Sequence, residues 1–400
     1  MLQYFVLSFL VSVATGYFIL RWQHVHARFT TDRATPGSHK IHTNSVPRIG
    51  GVAIVAGWTV GLIAAASSAG WASARLATWV ACLLPAFAAG LVEDLTGRVS
   101  VRTRLVLSFA TAALGYLLLN AIVDRLDFAG VDTLLAFPLV SFLFTLLAVG
   151  GVAHAVNIID GLNGLALGIC LIALLALGYV AFQVHDGEVL LLAGIGAGAV
   201  LGLLLWNYPS GEIFCGDGGA YFLGAYVAML SALLVHRNAS VSAWFPLMLV
   251  AYPVWETMFS VYRRRLLRGH SIWSPDRLHM HTLVYKRVAR RSRGDAGQSQ
   301  ARRNSDASAP IVMLAGIGVI PAVLWWGESL YLVVAAWTFA LLYVLAYRRI
   351  VGFGIRAARR KSDAGVKGAL PPHPLETRRN PLYPRPPFGS AARGEERRSR

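Results

Sequence analysis

The feature that most constrains the fold is a succession of apolar segments, each long enough to cross a membrane as a helix. An α-helix needs about 20 apolar residues to span the hydrocarbon core. With 56% hydrophobic and only 14% charged residues, the chain is far more apolar than a soluble domain. It also lacks the short alternating strands of an outer-membrane barrel. We therefore predict an all-α, polytopic integral membrane protein with about eleven transmembrane helices. The predicted spans are residues 2–20, 49–66, 75–92, 105–122, 136–154, 162–182, 188–206, 219–236, 243–261, 310–326 and 330–347.

The basic residues predict the orientation, because cytoplasmic loops near helix ends are enriched in Lys and Arg. With the N-terminus outside and the C-terminus in the cytoplasm, the inward segments are 21–48, 93–104, 262–309 and 348–400. These segments hold 34 of the 37 basic residues. The formal charge of +17 is then mainly a topology signal. No basic-aromatic recognition module accompanies it, so nucleic acid is not an expected partner.

The domain organisation follows from a change in composition near residue 350. Residues 1–350 read as one membrane domain whose functional loops face the cytoplasm. Residues 351–400 are basic and rich in Pro, and such a segment cannot bury a core, so we predict a disordered cytoplasmic tail.

Polar and acidic residues stand where predicted helices end on the cytoplasmic side. They are Glu93 and Asp94, Asn157 and Asp160, and Asp217. An ionisable group at the membrane edge costs roughly 2.5 kcal/mol or more when unpaired, so it indicates a functional site. Three such places on one face predict a shared ligand, namely a cation.

A structural alternative exists for these acids. Asp217 opens a predicted helix and is suited to capping it. The acids at 93 and 94 have basic neighbours with which they could pair. Those neighbours are Arg98, Arg102 and Arg104.

The cytoplasmic loops carry residues suited to a diphosphate. His279 and His281 are two residues apart, and Arg277 stands just before them. Lys40 and His42 add cationic groups to the same predicted face. A zinc pair is the alternative for the two histidines, but no further Cys or His cluster completes such a site.

Taken together, these motifs resemble the polyprenyl-phosphate N-acetylhexosamine-1-phosphate transferases, in their cell-surface polysaccharide branch. The family's acidic pair is similar to Glu93-Asp94, and its Asn-x-x-Asp-Gly motif to residues 157–161. Its Gly-Asp-x-Gly motif resembles residues 216–219, and its His-x-His motif residues 279–281. Its Pro-x-x-Gly-Gly motif resembles residues 47–51.

The resemblance implies transfer of a sugar 1-phosphate from a UDP-N-acetylhexosamine to polyprenyl phosphate at the bacterial inner membrane, with release of UMP. It implies Mg²⁺ as the metal, with Mn²⁺ as the alternative, and an active site facing the cytoplasm. By the same resemblance, Glu93, Asp94 and Asp160 are catalytic. Asp217 and Asn157 bind the metal. The implied substrate-binding residues are Lys40, His42, Asn207, Arg277, His279 and His281.

The chain departs from the family pattern at three positions. Glu93 replaces an Asp, Asn163 replaces an acid, and Thr282 stands where a further His is common. Asn163 cannot act as a base, which questions any catalytic role at that position.

Several readings stay open at this point. A phospho-N-acetylmuramoyl-pentapeptide transferase of the peptidoglycan branch is one alternative, and a cation-coupled transporter is another. The reaction could proceed by direct attack or through a covalent aspartyl-phosphate intermediate. Expected partners are the lipid phosphate, the UDP-sugar and membrane lipids, and a homodimer is one option for the oligomeric state.

Overall fold

A computed structural model describes residues 1–30, 46–68, 73–267, 278–291 and 300–366 of the chain. The described residues form fifteen α-helices. In chain order they are α1 (Leu2–Arg21), α2 (Gln23–Thr30), α3 (Gly50–Ser68), α4 (Ser73–Thr96), α5 (Val101–Leu114), α6 (Ala129–Leu135), α7 (Pro138–Ile159), α8 (Leu165–Gln183), α9 (Gly187–Asn207), α10 (Gly216–Arg237), α11 (Phe245–Leu249), α12 (Ala251–Tyr262), α13 (Met280–Arg291), α14 (Gln300–Leu324) and α15 (Ser329–Val366).

Ten of the described helices are long and apolar enough to cross a membrane. They are α1, α3, α4, α5 with its π-helical continuation Gly115–Leu119, α7, α8, α9, α10, α14 and α15. The prediction of an all-α, multi-pass membrane protein is therefore confirmed. The sidedness of the two termini stays a prediction.

The predicted span at residues 243–261 is divided into two shorter helices, which explains ten long helices where about eleven spans were expected. Helices α11 and α12 meet at Val250, whose backbone leaves the helical region (φ −113°, ψ 24°). Pro253 stands in the first turn of α12. A proline lacks the N–H that would extend a helix, and its ring clashes with the carbonyl four residues earlier. The apolar run therefore contains a break that hydropathy does not reveal.

Helix α10 lies at the centre of the membrane domain, and its most apolar 18-residue window is entirely buried inside the protein. It packs against α4 and α7, among others. Its Phe222 and Tyr226 meet Trp58 of α3 edge-on, with ring centroids 5.3 and 5.7 Å apart. These rings bury large apolar areas in a favourable geometry. The N-terminus of α10, at Gly216, is thus held by the core of the molecule.

Close contacts hold α1 against α9 and fix the start of α3. Ser8 and Ser12 of α1 donate their hydroxyls to the carbonyl oxygens of Ile195 and Ala199, each at 2.8 Å. A Cβ placed on Gly202 of α9 would lie 2.6 Å from the Ser12 Cβ, so only glycine allows this approach. The start of α3 is held beside the N-terminus of α10, since Gly50 N donates to Phe214 O at 3.0 Å.

The chain divides by internal contacts into Met1–Ile350 and Val351–Arg400. Helix α15 is continuous to Val366, past the predicted start of the tail. The remainder of the predicted tail lies outside the described residues.

Candidate functional site

Asp94, at the end of α4, caps the N-terminus of the central helix α10. Its two carboxylate oxygens accept hydrogen bonds from the backbone N–H groups of Asp217 and Gly218, both at 2.9 Å. The approach depends on glycine, because a Cβ on Gly90 would lie 2.4 Å from the Asp217 carbonyl carbon. An anion at a helix N-terminus is favoured by the helix dipole and satisfies two amides that have no partner within the helix. Asp94, and not Asp217, therefore acts as the cap.

Asp217, in the first turn of α10, directs its carboxylate to three other elements. Its Oδ1 accepts a hydrogen bond from Asn157 Nδ2 of α7 at 3.0 Å. Its Oδ2 is paired with the Arg104 guanidinium of α5. Arg48 Nη2 lies 3.7 Å from Asp217 Oδ1 and 3.9 Å from Asp94 Oδ1. Two carboxylates and two guanidiniums thus converge where four transmembrane helices begin or end.

Glu93 is the neighbour of Asp94 but has a different contact. Its Oε2 accepts a hydrogen bond from the Val99 N–H at 2.7 Å, which closes the turn between α4 and α5. The structure therefore brings Asp94, Asp217 and Asn157 together and places the Glu93 carboxylate on the adjoining turn.

Asp160 follows the last residue of α7 and is only partly exposed. Withdrawal from water, and then the negative charge of Asp217, raise the pKa of Asp160 to about 7, against an opposing effect of Arg48. The carboxyl lies just beyond the membrane-spanning part of α7. A carboxyl that titrates near neutrality is suited to proton transfer.

Asn207, at the end of α9, is buried and bonded at both ends of its amide. Its Oδ1 accepts from the Gly164 N–H at 2.6 Å, and its Nδ2 donates to the Ile213 carbonyl at 2.8 Å. Gly164 has a φ of +75°, which favours glycine. In this structure Asn207 holds the turn after α7 and the loop before α10.

Asn163, the position where an acid was expected, fastens the same turn to α14. Its backbone N–H donates to Asn304 Oδ1 at 2.6 Å. Its Nδ2 contacts Ser305 Oγ at 3.2 Å and the Ala301 carbonyl at 3.4 Å. The side chain is 2% exposed and belongs to helix packing.

The two histidines of the His-x-His motif lie at the start of α13 and reach the turn after α7. Their rings are stacked, with centroids 5.3 Å apart and planes inclined by 5°. A Cβ on Gly161 would lie 3.0 Å from His281 Nε2, so the imidazole lies directly against this turn. His279 Nδ1 lies 2.9 Å from Glu256 Oε1 of α12. The histidine pair is therefore beside Asp160 in the fold, although more than 100 residues later in the chain.

Three predicted substrate-binding residues, Lys40, His42 and Arg277, lie outside the described residues.

Comparison with known proteins indicates the family that this chain resembles. A family model described as glycosyl transferase family 4 matches residues 76–235, which contain α5 and α7–α9 with nearly all of α4 and α10. The chain is 28% identical over 258 residues to a probable undecaprenyl-phosphate N-acetylglucosaminyl 1-phosphate transferase of Bacillus subtilis (strain 168). That alignment covers 62% of this chain and 67% of the relative. Residues 76–235 of the chain are thus similar to glycosyl transferase family 4.

Two further relatives carry related names. An undecaprenyl-phosphate alpha-N-acetylglucosaminyl 1-phosphate transferase of Thermotoga maritima is 25% identical, over 69% of this chain and 80% of the relative. A phospho-N-acetylmuramoyl-pentapeptide-transferase of Maricaulis maris is 28% identical, over 58% of this chain and 71% of the relative. The family resemblance predicted from the motifs is confirmed.

The oxygen donors at the N-terminus of α10 are of the kind that Mg²⁺ takes in proteins. Among the described residues, no three His, Cys, Asp or Glu side chains form a group that could hold a metal ion by themselves. Mg²⁺ commonly takes only one or two carboxylates and completes its shell with water and substrate phosphates. The Asp217 carboxylate is one such ligand, and Asn157, whose Nδ2 donates to Asp217 Oδ1 at 3.0 Å, carries an amide oxygen that is a second candidate ligand.

The sequence analysis did not assign three residues of this site. Arg104 was named only as a structural partner for the acids at 93 and 94, but it pairs with Asp217. Arg48 lies in the Pro-x-x-Gly-Gly motif without a predicted contact, and Glu256 is not among the residues predicted from the sequence. The signal for Glu256 is that it is the sole acid in the apolar run 243–261. An acid in such a run is by default a functional hypothesis.

Proposed function

We propose that the protein transfers N-acetylglucosamine 1-phosphate, or that of a modified relative, from a UDP-sugar to polyprenyl (undecaprenyl) phosphate and releases UMP. The product is the first lipid-linked intermediate of a cell-surface glycan such as O-antigen lipopolysaccharide. The names of the B. subtilis and T. maritima relatives support this reaction. We place the protein in the bacterial inner membrane with its site facing the cytoplasm, as the distribution of basic residues predicts.

The observation that carries the proposal is the convergence at the N-terminus of α10. Asp217 and Asn157 meet there, with Arg48 and Arg104 beside them. All these residues stand at the ends of membrane helices. A lipid phosphate in one leaflet can reach this level laterally, and a soluble nucleotide sugar can reach it from the aqueous side.

The proposed step is a phosphoryl transfer. An oxygen of the lipid phosphate attacks the sugar-bearing phosphorus of the UDP-sugar, and the bond from that phosphorus to the bridging oxygen breaks. The bridging oxygen and its electron pair leave with UMP. Catalysis of such a step is mainly positioning and charge stabilisation. Arg48 and Arg104 supply fixed positive charge to two substrates that are both anions.

Asp217, with Asn157, would hold Mg²⁺, which when bound stabilises negative charge on the diphosphate and the leaving UMP. Asp160 is the carboxyl best suited to take a proton from the lipid phosphate, because its pKa is raised to about 7 by burial and by Asp217. Both oxygens of Asp94 accept backbone amides, so Asp94 orients Asp217. Because both Asp94 oxygens are engaged in this way, Asp94 is poorly placed to form an aspartyl phosphate, and we favour direct attack.

The M. maris relative makes the peptidoglycan-branch reaction the second candidate. The two differ in the sugar nucleotide, so a panel containing UDP-GlcNAc and UDP-N-acetylmuramoyl-pentapeptide separates them. A transporter is disfavoured, because the polar groups stand at helix ends and not at mid-membrane depth.

The test uses the full chain purified in detergent, with UDP-GlcNAc and undecaprenyl phosphate, in Mg²⁺ or in EDTA. We expect UMP and a lipid-linked sugar only when both the lipid phosphate and Mg²⁺ are present. Asp217→Asn should reduce the rate by on the order of 100-fold or more. Asp186→Asn is the matched control. Asp186 caps the N-terminus of α9, at the opposite end of α9 from Asn207, and Asn caps a helix equally well. Full turnover by Asp217→Asn would remove this residue from the site, and a wild-type protein that makes no lipid product would refute the proposed reaction.

A further inference from the structure

The second group of interest surrounds Glu256 of α12, which is fully buried. A buried carboxylate is costly unless it is paired and hydrogen-bonded. Glu256 Oε1 lies 2.9 Å from His279 Nδ1. Its Oε2 accepts from the Tyr343 hydroxyl at 2.8 Å. The Met280 N–H lies 3.2 Å from Oε1 and 3.1 Å from Oε2. Glu256 therefore gathers donors from α13, α15 and the residue before α13.

The position of the carboxylate relative to α13 has a clear electrostatic role. Met280 is the first residue of α13, and its amide is among those that have no acceptor within the helix. An anion there is favoured by the helix dipole. The preceding residue is held as well, because the Leu278 carbonyl accepts from Arg263 Nη1 at 3.0 Å and from the Tyr347 hydroxyl at 3.1 Å. The segment that begins α13 is thus fixed at its backbone from two helices.

The same contact fixes the protonation of one histidine ring nitrogen. An ionised carboxylate can only accept hydrogen bonds, so the proton between Glu256 and His279 belongs to Nδ1. Nε2, on the opposite side of the ring, is then turned away from Glu256. The ring stacks on His281, and His281 lies against Gly161. A continuous series of contacts runs from Glu256 to the turn that carries Asp160.

We propose that Glu256 is a positioning residue for the His-x-His motif: it holds His279 with its proton on Nδ1 and anchors the start of α13, so that both imidazoles are presented to the turn after α7. This inference rests on the proposed function and on the prediction from the sequence that His279 and His281 bind the diphosphate of the UDP-sugar. Glu256 itself does not touch the substrate. Its effect on turnover passes through the two histidines.

The experiment compares Glu256→Gln, His279→Gln and the double variant in steady-state UMP release. Glu256→Gln keeps the shape of the side chain but loses the charge. We expect kcat/KM for UDP-GlcNAc to fall about tenfold or more, with the KM for undecaprenyl phosphate changed less than twofold. Because residues that act as one unit are not additive, the double variant should be no worse than the poorer single variant.

The matched control is Glu188→Gln. Glu188 is also a carboxylate paired with two cations, Arg75 and Arg237. It stands in the first turn of α9, at the opposite end of that helix from Asn207. We expect it to change thermal stability without changing the KM for UDP-GlcNAc. If Glu256→Gln does not fold, Tyr343→Phe removes one hydrogen bond from the same carboxylate and should raise that KM severalfold.

The outcomes separate the two ideas. A wild-type protein that releases no UMP refutes the proposed function, and this inference with it. If the wild type releases UMP but Glu256→Gln leaves kcat/KM for UDP-GlcNAc unchanged, the positioning role alone is overturned. Where only Tyr343→Phe folds, an unchanged KM for UDP-GlcNAc in that variant has the same meaning. Losses that multiply in the double variant also overturn it.

Discussion

Asn163→Asp is a decisive test of the geometry around the turn after α7, because it restores the acid expected by resemblance. The structure predicts damage and no gain. The Asn163 side chain is 2% exposed, and its Nδ2 faces two oxygens, Ser305 Oγ at 3.2 Å and the Ala301 carbonyl at 3.4 Å. An ionised carboxylate cannot donate the hydrogen bonds that the amide makes, and it would face the Ala301 carbonyl oxygen.

The magnitude depends on pH. At pH 5 the buried acid stays largely protonated, and its hydroxyl can replace one of the two contacts at a cost of about 1 kcal/mol. Keeping the proton about one pH unit above the unfolded pKa adds roughly 1.5 kcal/mol. At pH 8 the unfolded carboxyl is ionised, since its pKa is about 3.9. The folded protein then buries the charge, which adds roughly 3 kcal/mol, because retaining the proton about four pH units above the unfolded pKa would cost more, about 5.6 kcal/mol. The penalty is therefore small at acid pH and grows as pH rises above about 4.

The measurement is the thermal unfolding midpoint of detergent-purified protein at pH 5 and pH 8. Asn120→Asp is the matched control, because Asn120 is exposed and the same chemical change there should leave both midpoints close to wild type. We expect UMP release by Asn163→Asp to follow the folded fraction. A midpoint equal to that of wild type at pH 8, or a turnover above that of wild type, would show that this side chain faces the substrate and not α14.

Two further predictions concern the same turn. Gly161→Ala should raise the KM for the UDP-sugar severalfold, because the added Cβ would lie 3.0 Å from His281 Nε2. Gly151→Ala is the control, because its Cβ meets nothing within 4 Å and the KM should not change. Equal KM values for the two variants would contradict the contact with His281. In EDTA, Asp160→Asn should stabilise the protein increasingly from pH 4 to pH 7, because burial and Asp217 raise the folded pKa of Asp160 to about 7, so the wild type loses stability as pH rises through that window. Unfolding midpoints at pH 4.5 and 7.5 check this, and a difference that does not grow with pH would refute it.

Hydrophobic length predicts the membrane helices well, because a spanning helix must satisfy its backbone internally and cover itself with apolar side chains. Ten of the eleven predicted spans correspond to long helices. The span at residues 243–261 shows the limit, since its composition resembles the others while Pro253 limits the helix to a start near Ala251. The span predicted at 162–182 begins within the Gly-rich turn, and α8 starts at Leu165 after Gly164 adopts a positive φ.

The gathering of polar groups at one end of the bundle was predictable for the same reason. Asp94, Asn157 and Asp217 all stand at helix ends, and the order of helices across the membrane places those ends together. Their individual contacts were not predictable, because a guanidinium reaches across several ångströms and its partner depends on helix packing. Arg104 is near Asp94 in sequence, yet it pairs with Asp217.

Asn163 and Asn207 show why residue type alone leaves a role open. Both amides stand next to motif residues, and both could in principle bind a ligand. Both amides are buried in this structure and are bonded to protein groups, namely backbone atoms and Ser305, because a buried amide needs partners. The substrate-binding role of Asn207 stays a prediction. One-dimensional spacing carries no information on burial, so the sequence leaves the binding and structural roles equally open.

The two acids at the N-terminus of α10, Asp94 and Asp217, have separate roles. A helix that begins inside a membrane protein must find acceptors for its first amides, since neither lipid nor a dry core provides them. Asp94 accepts from the amides of Asp217 and Gly218, and both of its oxygens are thereby used. The Asp217 side chain is then not needed as a cap, and its carboxylate faces Asn157 and Arg104. Loss of the Asp94 carboxylate removes the acceptors that fix the helix, whereas loss of the Asp217 carboxylate leaves the helix in place and removes the charge that a metal requires.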